Sequence, residues 1–313
     1  MIEEMLLNEN LPVDAPEPLP FPFNQRTFCR YEPIEKRVDT ARVLVVNNLL
    51  LNEDDTSEVA AKELGRNLTT QIKRERKISA LAVDNIRHNI QRLVKTPVTH
   101  VAHLSEIAEA VAEFRPDAIV LSGTLSDFDY YNPQHLENFT RFIRETRIPV
   151  LGICGGHQLI GLSFGAQVVT LDNRQQHENR NKRSFEYQYR FIRIVEPDDP
   201  IFTGINDSDS GIWQDYTREA RILRVWQNHG LQLDRVPEDF KLLATAYLCR
   251  NQMMVKRAGG QLIYTVQFHL EKSFEDWDKT RATRWEHPNE SRDGRIIFEN
   301  FLRESLKHTS EPS

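Results

Sequence analysis

The chain has 313 residues, 39% of them hydrophobic, with 40 Lys+Arg against 46 Asp+Glu and a formal net charge of -6. This is enough apolar material for one large α/β domain with insertions or for two small domains, and it excludes the overall basic field that nucleic-acid binding usually needs. The three cysteines, Cys29, Cys154 and Cys249, are odd in number and widely scattered, which excludes a disulfide framework or a four-cysteine zinc site and points to a reducing compartment.

The segment Met1–Asn10 is acidic and lacks the positive start and apolar centre of a secretory signal, and no apolar run reaches the roughly 18 residues of a membrane span, so a cytoplasmic protein without a membrane partner is expected. Residues 1–40 carry Pro12, Pro16, Pro18, Pro20, Pro22 and Pro33, a composition suited to an extended arm that Phe21, Phe23, Phe28 and Tyr31 pin to the body. The β-branched run Arg42–Asn47 predicts a first buried strand, and Ser57–Gln71 a helix. In the basic stretch Ile72–Lys95, apolar residues at Ile78, Leu81, Ile86, Ile90 and Leu93 predict a surface helix with a solvated basic face, making 72–97 an insertion.

Val98–Leu104 reads as a second strand, Ser105–Phe114 as a helix, Asp117–Ser122 as a third strand, His135–Thr146 as a helix and Ile148–Ile153 as a fourth strand. Such alternation predicts an open, mostly parallel sheet with helices on both faces and active groups at the carboxyl ends of the strands. Further strands are expected at Arg190–Val195, Ile222–Gln227, Lys241–Ala246, Gln252–Arg257 and Leu262–Phe268, with a last helix at Gly294–Leu306. The main domain then spans 41–307, with a second insertion at 274–293 and a short tail at 308–313.

Two segments carry chemistry. In Gly152-Ile153-Cys154-Gly155-Gly156, a buried strand runs into a cysteine with glycines two before and two after, followed by a helical stretch. Those glycines permit a sharp bend that exposes the thiol, and a helix N-terminus beside it favours a thiolate and offers free N–H groups to an oxyanion. Cys29 and Cys249 have no such context and read as small buried hydrophobes. The second segment is the strand 262–268 running into His269-Leu270-Glu271, where period-2 spacing places the imidazole and the carboxylate on one face. A carboxylate so held fixes the tautomer of a histidine base and supports its charged form. The Pro-Cys-x-x-Cys that would accompany His-x-Glu in a zinc deaminase is missing, so no metal is expected there. His157, three residues after the cysteine, reads as a pocket residue, and His229 as either a pocket residue or a satisfied turn histidine.

At these residues the sequence resembles the class I glutamine amidotransferases, whose marks are Gly-x-Cys-x-Gly-x-Gln and Gln-Phe-His-Pro-Glu. The resemblance implies a flavodoxin-like α/β fold and assigns Cys154 as nucleophile, His269 as base and Glu271 as its orienter. It implies Gln158 as a substrate-holding residue, and an oxyanion hole from Gly155 together with Gly123 and Thr124 in Leu121-Ser122-Gly123-Thr124. The run Val225–Gly230 looks like the substrate-contacting segment of GMP synthetase amidotransferase domains, which implies substrate roles for Asn228 and His229. Leu270 stands where the family has proline, Thr124 where a second glycine is common, and Asn228 and Leu231 where Ser and Asp are frequent.

The reaction implied is hydrolysis of the glutamine side-chain amide without a cofactor. No phosphate-cradling glycine motif is present, so the ammonia implies a separate ATP-dependent synthetase or ligase as the partner that uses it. Two other readings stay open on the sequence: a cysteine hydrolase of another γ-glutamyl amide or peptide, and an inactive scaffold of the same fold.

Overall fold

The computed structural model describes residues 35–178, 180, 182–205, 222–272 and 292–310. Most of the expected N-terminal extension, with Cys29, and most of 274–293 lie outside the described residues.

The chain opens with β1 (Val38–Asn47), then a short helix α1 (Glu58–Leu64) and the long helix α2 (Leu68–Leu93). Ser57 caps α1 by accepting from Ala60 N, leaving one fewer orphan amide at its start. β2 (Val94–His103), α3 (Ile107–Phe114), β3 (Ala118–Leu121), α4 (Pro133–Glu145), β4 (Val150–Ile153) and α5 (Gly155–Ser163) follow. Asn132 caps α4 through Gln134 N, with Pro133 in the first turn, where its missing N–H costs nothing. The second half adds β5 (Val168–Thr170), β6 (Glu186–Ile194), β7 (Ile222–His229), β8 (Leu231–Leu233), β9 (Lys241–Thr245), β10 (Met253–Lys256), β11 (Ile263–Val266) and α6 (Arg292–Ser310).

Nine strands form one sheet in the order β2-β1-β3-β4-β11-β10-β9-β6-β7. The five strands from β2 to β11 are parallel, and the remaining four extend the sheet antiparallel. β5 and β8 pair separately. This is the open sheet with extra strands that the alternation predicts.

Period-2 alternation divides the core. Val43, Val45, Val120, Leu151, Ile153, Tyr264 and Val266 face one side, where α2 and α6 supply Ile86, Ile90, Phe298 and Phe301. Leu44, Val46, Ile119, Leu121, Val150 and Ile263 face the other, against Ile107 of α3, Phe139 of α4 and Leu159 of α5. Both faces of the parallel half are therefore covered, as its continuous apolar runs require.

Some boundaries differ from the sequence reading. β2 starts at Val94 and β6 at Glu186, each four residues earlier than expected, and the strands β5 and β8 have no counterpart among the expected elements. The buried face of α2 runs through Ile72, Glu75, Ser79, Val83, Ile86, Ile90 and Leu93, while Leu81, expected on the apolar side, is 55% exposed. The difference arises because Glu75 and Ser79, which read as polar, are buried by hydrogen-bonding into the protein.

Candidate active site

β4 and β11 are adjacent and parallel, with Ile153 opposite Val266, so their carboxyl ends deliver the two sequence motifs to one place. The amide of Cys154 donates to Val266 O at 2.8 Å. Cys154 has φ 50 and ψ -102, the left-handed backbone of a sharp strand-to-helix bend, and it precedes α5 directly. A non-glycine residue here carries strain of about 1–3 kcal/mol. The flanking glycines are steric requirements: a Cβ at Gly152 would lie 2.8 Å from the carbonyl carbon of Gly156, and one at Gly156 would lie 2.8 Å from Leu121 Cβ.

His269 reaches this bend from the turn after β11, its amide donating to Trp226 O at 2.8 Å. Its Nδ1 is 2.7 Å from Glu271 Oε1. A Cβ at Gly123 would sit 3.4 Å from His269 Cε1 and 3.6 Å from Cys154 Cβ, so imidazole and thiol share one wall. Burial opposes charge on His269, but the Glu271 carboxylate and then the Cys154 sulfur more than offset it, and its pKa is raised to about 10. Burial likewise opposes the Glu271 charge, and His269 overrides it, holding the carboxyl below its usual range.

The surrounding shell is tied to these groups. The peptide of Gly155 lies against the loop after β3 so closely that a Cβ would overlap both the amide nitrogen and the hydroxyl of Thr124. That loop is anchored by buried Glu75 of α2, which accepts from Ser126 Oγ, from Gln71 Nε2 and from Leu50 N. Asn89 of α2 donates to Glu271 O at 2.7 Å. The helix expected as an insertion thus supports both sides of the site.

Gln158 is buried and donates to Leu231 O at 2.9 Å and to Gln267 Oε1 at 3.1 Å, and Gln267 Nε2 in turn points at Cys154 Sγ from 3.7 Å. Sequence reasoning misses Gln267, though its place two residues before His269 on the same strand is a readable signal. Asn228 is exposed, whereas His229 is buried with Nε2 3.1 Å from Glu186 Oε2. His157 is buried with Nδ1 2.7 Å from Thr265 Oγ1, and burial first, then the neighbouring His229, lower its pKa to about 3.

A second Cys/His/Glu grouping, Glu186, His229 and Cys249, lies buried under the antiparallel strands. Its members are far apart in the chain and share no motif, so the sequence alone does not reveal it. Burial and the Glu186 charge push the Cys249 thiol well above its ordinary range.

The sequence profile described as glutamine amidotransferase class-I matches residues 80–284, a span that contains both motifs and the sheet edge between them. The chain belongs to this family. Its activity is that of a cysteine-dependent glutamine amidotransferase, which hydrolyses the glutamine side-chain amide with a Cys, a His and a Glu. This amidotransferase is 25% identical over 214 residues to the separate glutamine-hydrolysing chain of the GMP synthase of Methanothermobacter thermautotrophicus, covering 68% of the present chain and 88% of that one. It is 33% identical over 164 residues to the corresponding GMP synthase chain of Pyrococcus abyssi, covering 52% of this chain and 70% of that one. Against the GMP synthase of Tolumonas auensis it is 31% identical over 166 residues, 52% of this chain, but spans only 27% of that longer protein. Among solved structures, a Thermoplasma acidophilum protein assigned provisionally as the same GMP synthase component superposes with a TM-score of 0.50 at 21% identity, covering 86% of this chain and 95% of that one, a likeness of fold. Among the described residues of this amidotransferase, no helix is long and apolar enough to cross a membrane.

Proposed function

We propose that Cys154 is the nucleophile, His269 the base and Glu271 its orienter, and that the ammonia released from glutamine passes to a separate ATP-dependent synthetase. The observation that carries this assignment is the joint placement of His269 against Glu271 at 2.7 Å and against the wall of Gly123 that it shares with Cys154. The thiol proton moves to His269, and the thiolate attacks the carboxamide carbon. The N–H groups of Gly155 and of the Gly123–Thr124 loop hold the tetrahedral oxyanion. His269 then protonates the departing amine, leaving a glutamyl thioester, and activates the water that hydrolyses it to glutamate.

Cys154 is favoured over Cys249 because it alone stands at a strained bend ahead of a helix N-terminus, with glycine-lined room for an oxyanion. Gln158 acts from beneath, since its amide already donates to Leu231 O and Gln267. Asn228, exposed at the end of β7, is the residue of that segment offered to the substrate, while buried His229 supports it from within. The relatives named as glutamine-hydrolysing GMP synthase chains support a nucleotide-synthesising partner as ammonia user.

Ammonia release from glutamine by the purified chain, alone and with candidate synthetases, tests this reading. Glutamine turnover abolished by Cys154→Ala and untouched by Cys249→Ala supports it. Turnover confined to other γ-glutamyl compounds, or retained by Cys154→Ala, overturns it.

A further inference from the structure

Three buried side chains converge in the antiparallel half: Glu186 at the start of β6, His229 at the end of β7 and Cys249 in the turn between β9 and β10. Their ligating atoms all lie within 4.8 Å of one another. Neither the family's reaction nor the Cys154 centre uses them.

The hydrogen bonding of His229 is the telling detail. Its Nδ1 is 2.9 Å from Leu231 O, which can only accept, so Nδ1 carries the ring proton and Nε2 presents its lone pair. That lone pair is 3.1 Å from Glu186 Oε2, an oxygen that itself accepts from Gln252 Nε2 at 3.1 Å. Two acceptors held that close in a buried site need a positive centre between them. A proton on Nε2 does not meet the need, because Nε2 has no hydrogen-bond partner in an acceptable direction although the side chain is only 2% exposed. Nor does a proton account for the third member, a thiol facing the same carboxylate.

We propose that this pocket is a structural zinc site, with the Cys249 thiolate, His229 Nε2 and the Glu186 carboxylate as ligands. Thiolate, imidazole and carboxylate together suit Zn²⁺ among the common divalent ions. With metal–ligand bonds near 2.0–2.1 Å, tetrahedral N and O ligands stand about 3.3 Å apart, close to the 3.1 Å observed between His229 and Glu186. The sulfur edge would be ~3.6 Å, reached by a small inward movement of the β9–β10 turn. The bond from the other ring nitrogen to a backbone carbonyl is the usual outer-shell support of a metal-bound histidine. A water completes the four-coordinate shell, and Gln227 Oε1 is placed to receive it: that oxygen is buried without a donor, in a side chain that donates to Gln252, the same residue that holds Glu186. Binding exchanges the Cys249 S–H bond for a Zn–S bond and releases one proton, with no change of oxidation state. The ion would clip β6, β7 and the β9–β10 turn together beneath Asn228.

The test uses the full chain carrying Cys29→Ala and Cys154→Ala, which leaves Cys249 as its single cysteine. After stripping with a chelator, titration with Zn²⁺ is expected to fill one site per chain, release one proton and raise Tm. Co²⁺ is expected to give intense tetrahedral d–d bands and a thiolate-to-cobalt charge-transfer band that Zn²⁺ displaces. His229→Ala and Glu186→Gln in this background should each weaken Zn²⁺ binding at least tenfold. A folded protein that takes up no stoichiometric zinc, or that binds cobalt without the thiolate band, overturns the proposal. Should the double variant not fold, X-ray absorption at the zinc edge of the zinc-titrated wild-type chain decides: one sulfur neighbour is expected, and a shell of nitrogen and oxygen alone overturns it. None of these readouts depends on glutaminase activity, so the zinc site and the Cys154 assignment can fail separately.

Discussion

His269 Nδ1 stands 2.7 Å from the Glu271 carboxylate two residues further along the chain, and the two side chains hold each other charged in a buried setting. The pair has a defined pH signature. The His269 pKa is raised from 6.5 to about 10, so its contribution to stability is fully present below about 6.5 and is lost as pH rises through about 10. Glu271→Gln removes the partner and leaves burial to dominate, which should drive the imidazole pKa downward. We expect the Tm advantage of wild type over Glu271→Gln to shrink steadily from pH 6.5 to 10, and kcat of the variant to fall by ~10²–10⁴. A Tm difference that stays constant with pH would show that the contact contributes through packing alone.

Cys154 is held at φ 50, so losing the thiol and relieving the backbone are separable. Cys154→Ala and Cys154→Gly should both reduce glutamine turnover by at least ~10³-fold. Thermal melts should place Cys154→Gly above Cys154→Ala by about 1 kcal/mol, since glycine accepts this conformation and alanine does not. Equal stabilities would mean that the bend carries no strain.

Gly155→Ala tests the oxyanion wall. Its Cβ would overlap Thr124, and the loop after β3 has to retreat. A stability loss of ~1–3 kcal/mol is expected with a fall in kcat of ~10²–10³. Removing the Thr124 side chain as well, with Thr124→Gly, should recover part of the stability but little of the rate, because the Thr124 amide nitrogen is also in the way. Full recovery of kcat in the double variant would place the oxyanion donors elsewhere.

His157 is buried neutral, with its pKa lowered from 6.5 to about 3. The depressed value favours the fold fully above about pH 6.5, and that contribution drains away as pH falls toward about 3. His157→Gln keeps a polar partner near Thr265 while removing the titration, so its Tm should fall less steeply than wild type between about pH 6.5 and 4. Parallel curves would indicate that His157 is accessible to protons in the folded state.

The parts of the fold that are legible in the sequence are those set by local rules. The runs around Val45, Val120 and Leu151 announce buried strands, and glycine spacing announces the bend at Cys154. His269 and Glu271 can be paired because the two residues lie so close together that a change in strand ending does not separate them: β11 stops at Val266, yet the contact forms in the turn. What stays hidden depends on distant partners. The buried face of α2 is defined by Glu75 and Ser79, whose polar groups are satisfied by Ser126 and Asn47 from other elements. The direction of β9, β10 and β6 follows from their connections rather than their composition. Glu186, His229 and Cys249 meet only because β6, β7 and the β9–β10 turn end side by side.

The thiol arrives on β4 and its imidazole on β11, strands that touch in space but are separated by most of the antiparallel half in the chain. During synthesis, then, a nascent polypeptide carries an inert sulfur until the ribosome has released β11 and the last parallel pairing has closed. Glutamine is consumed only by molecules whose sheet is finished, which makes turnover itself a reporter of completed folding and spares the cell ammonia from half-made copies.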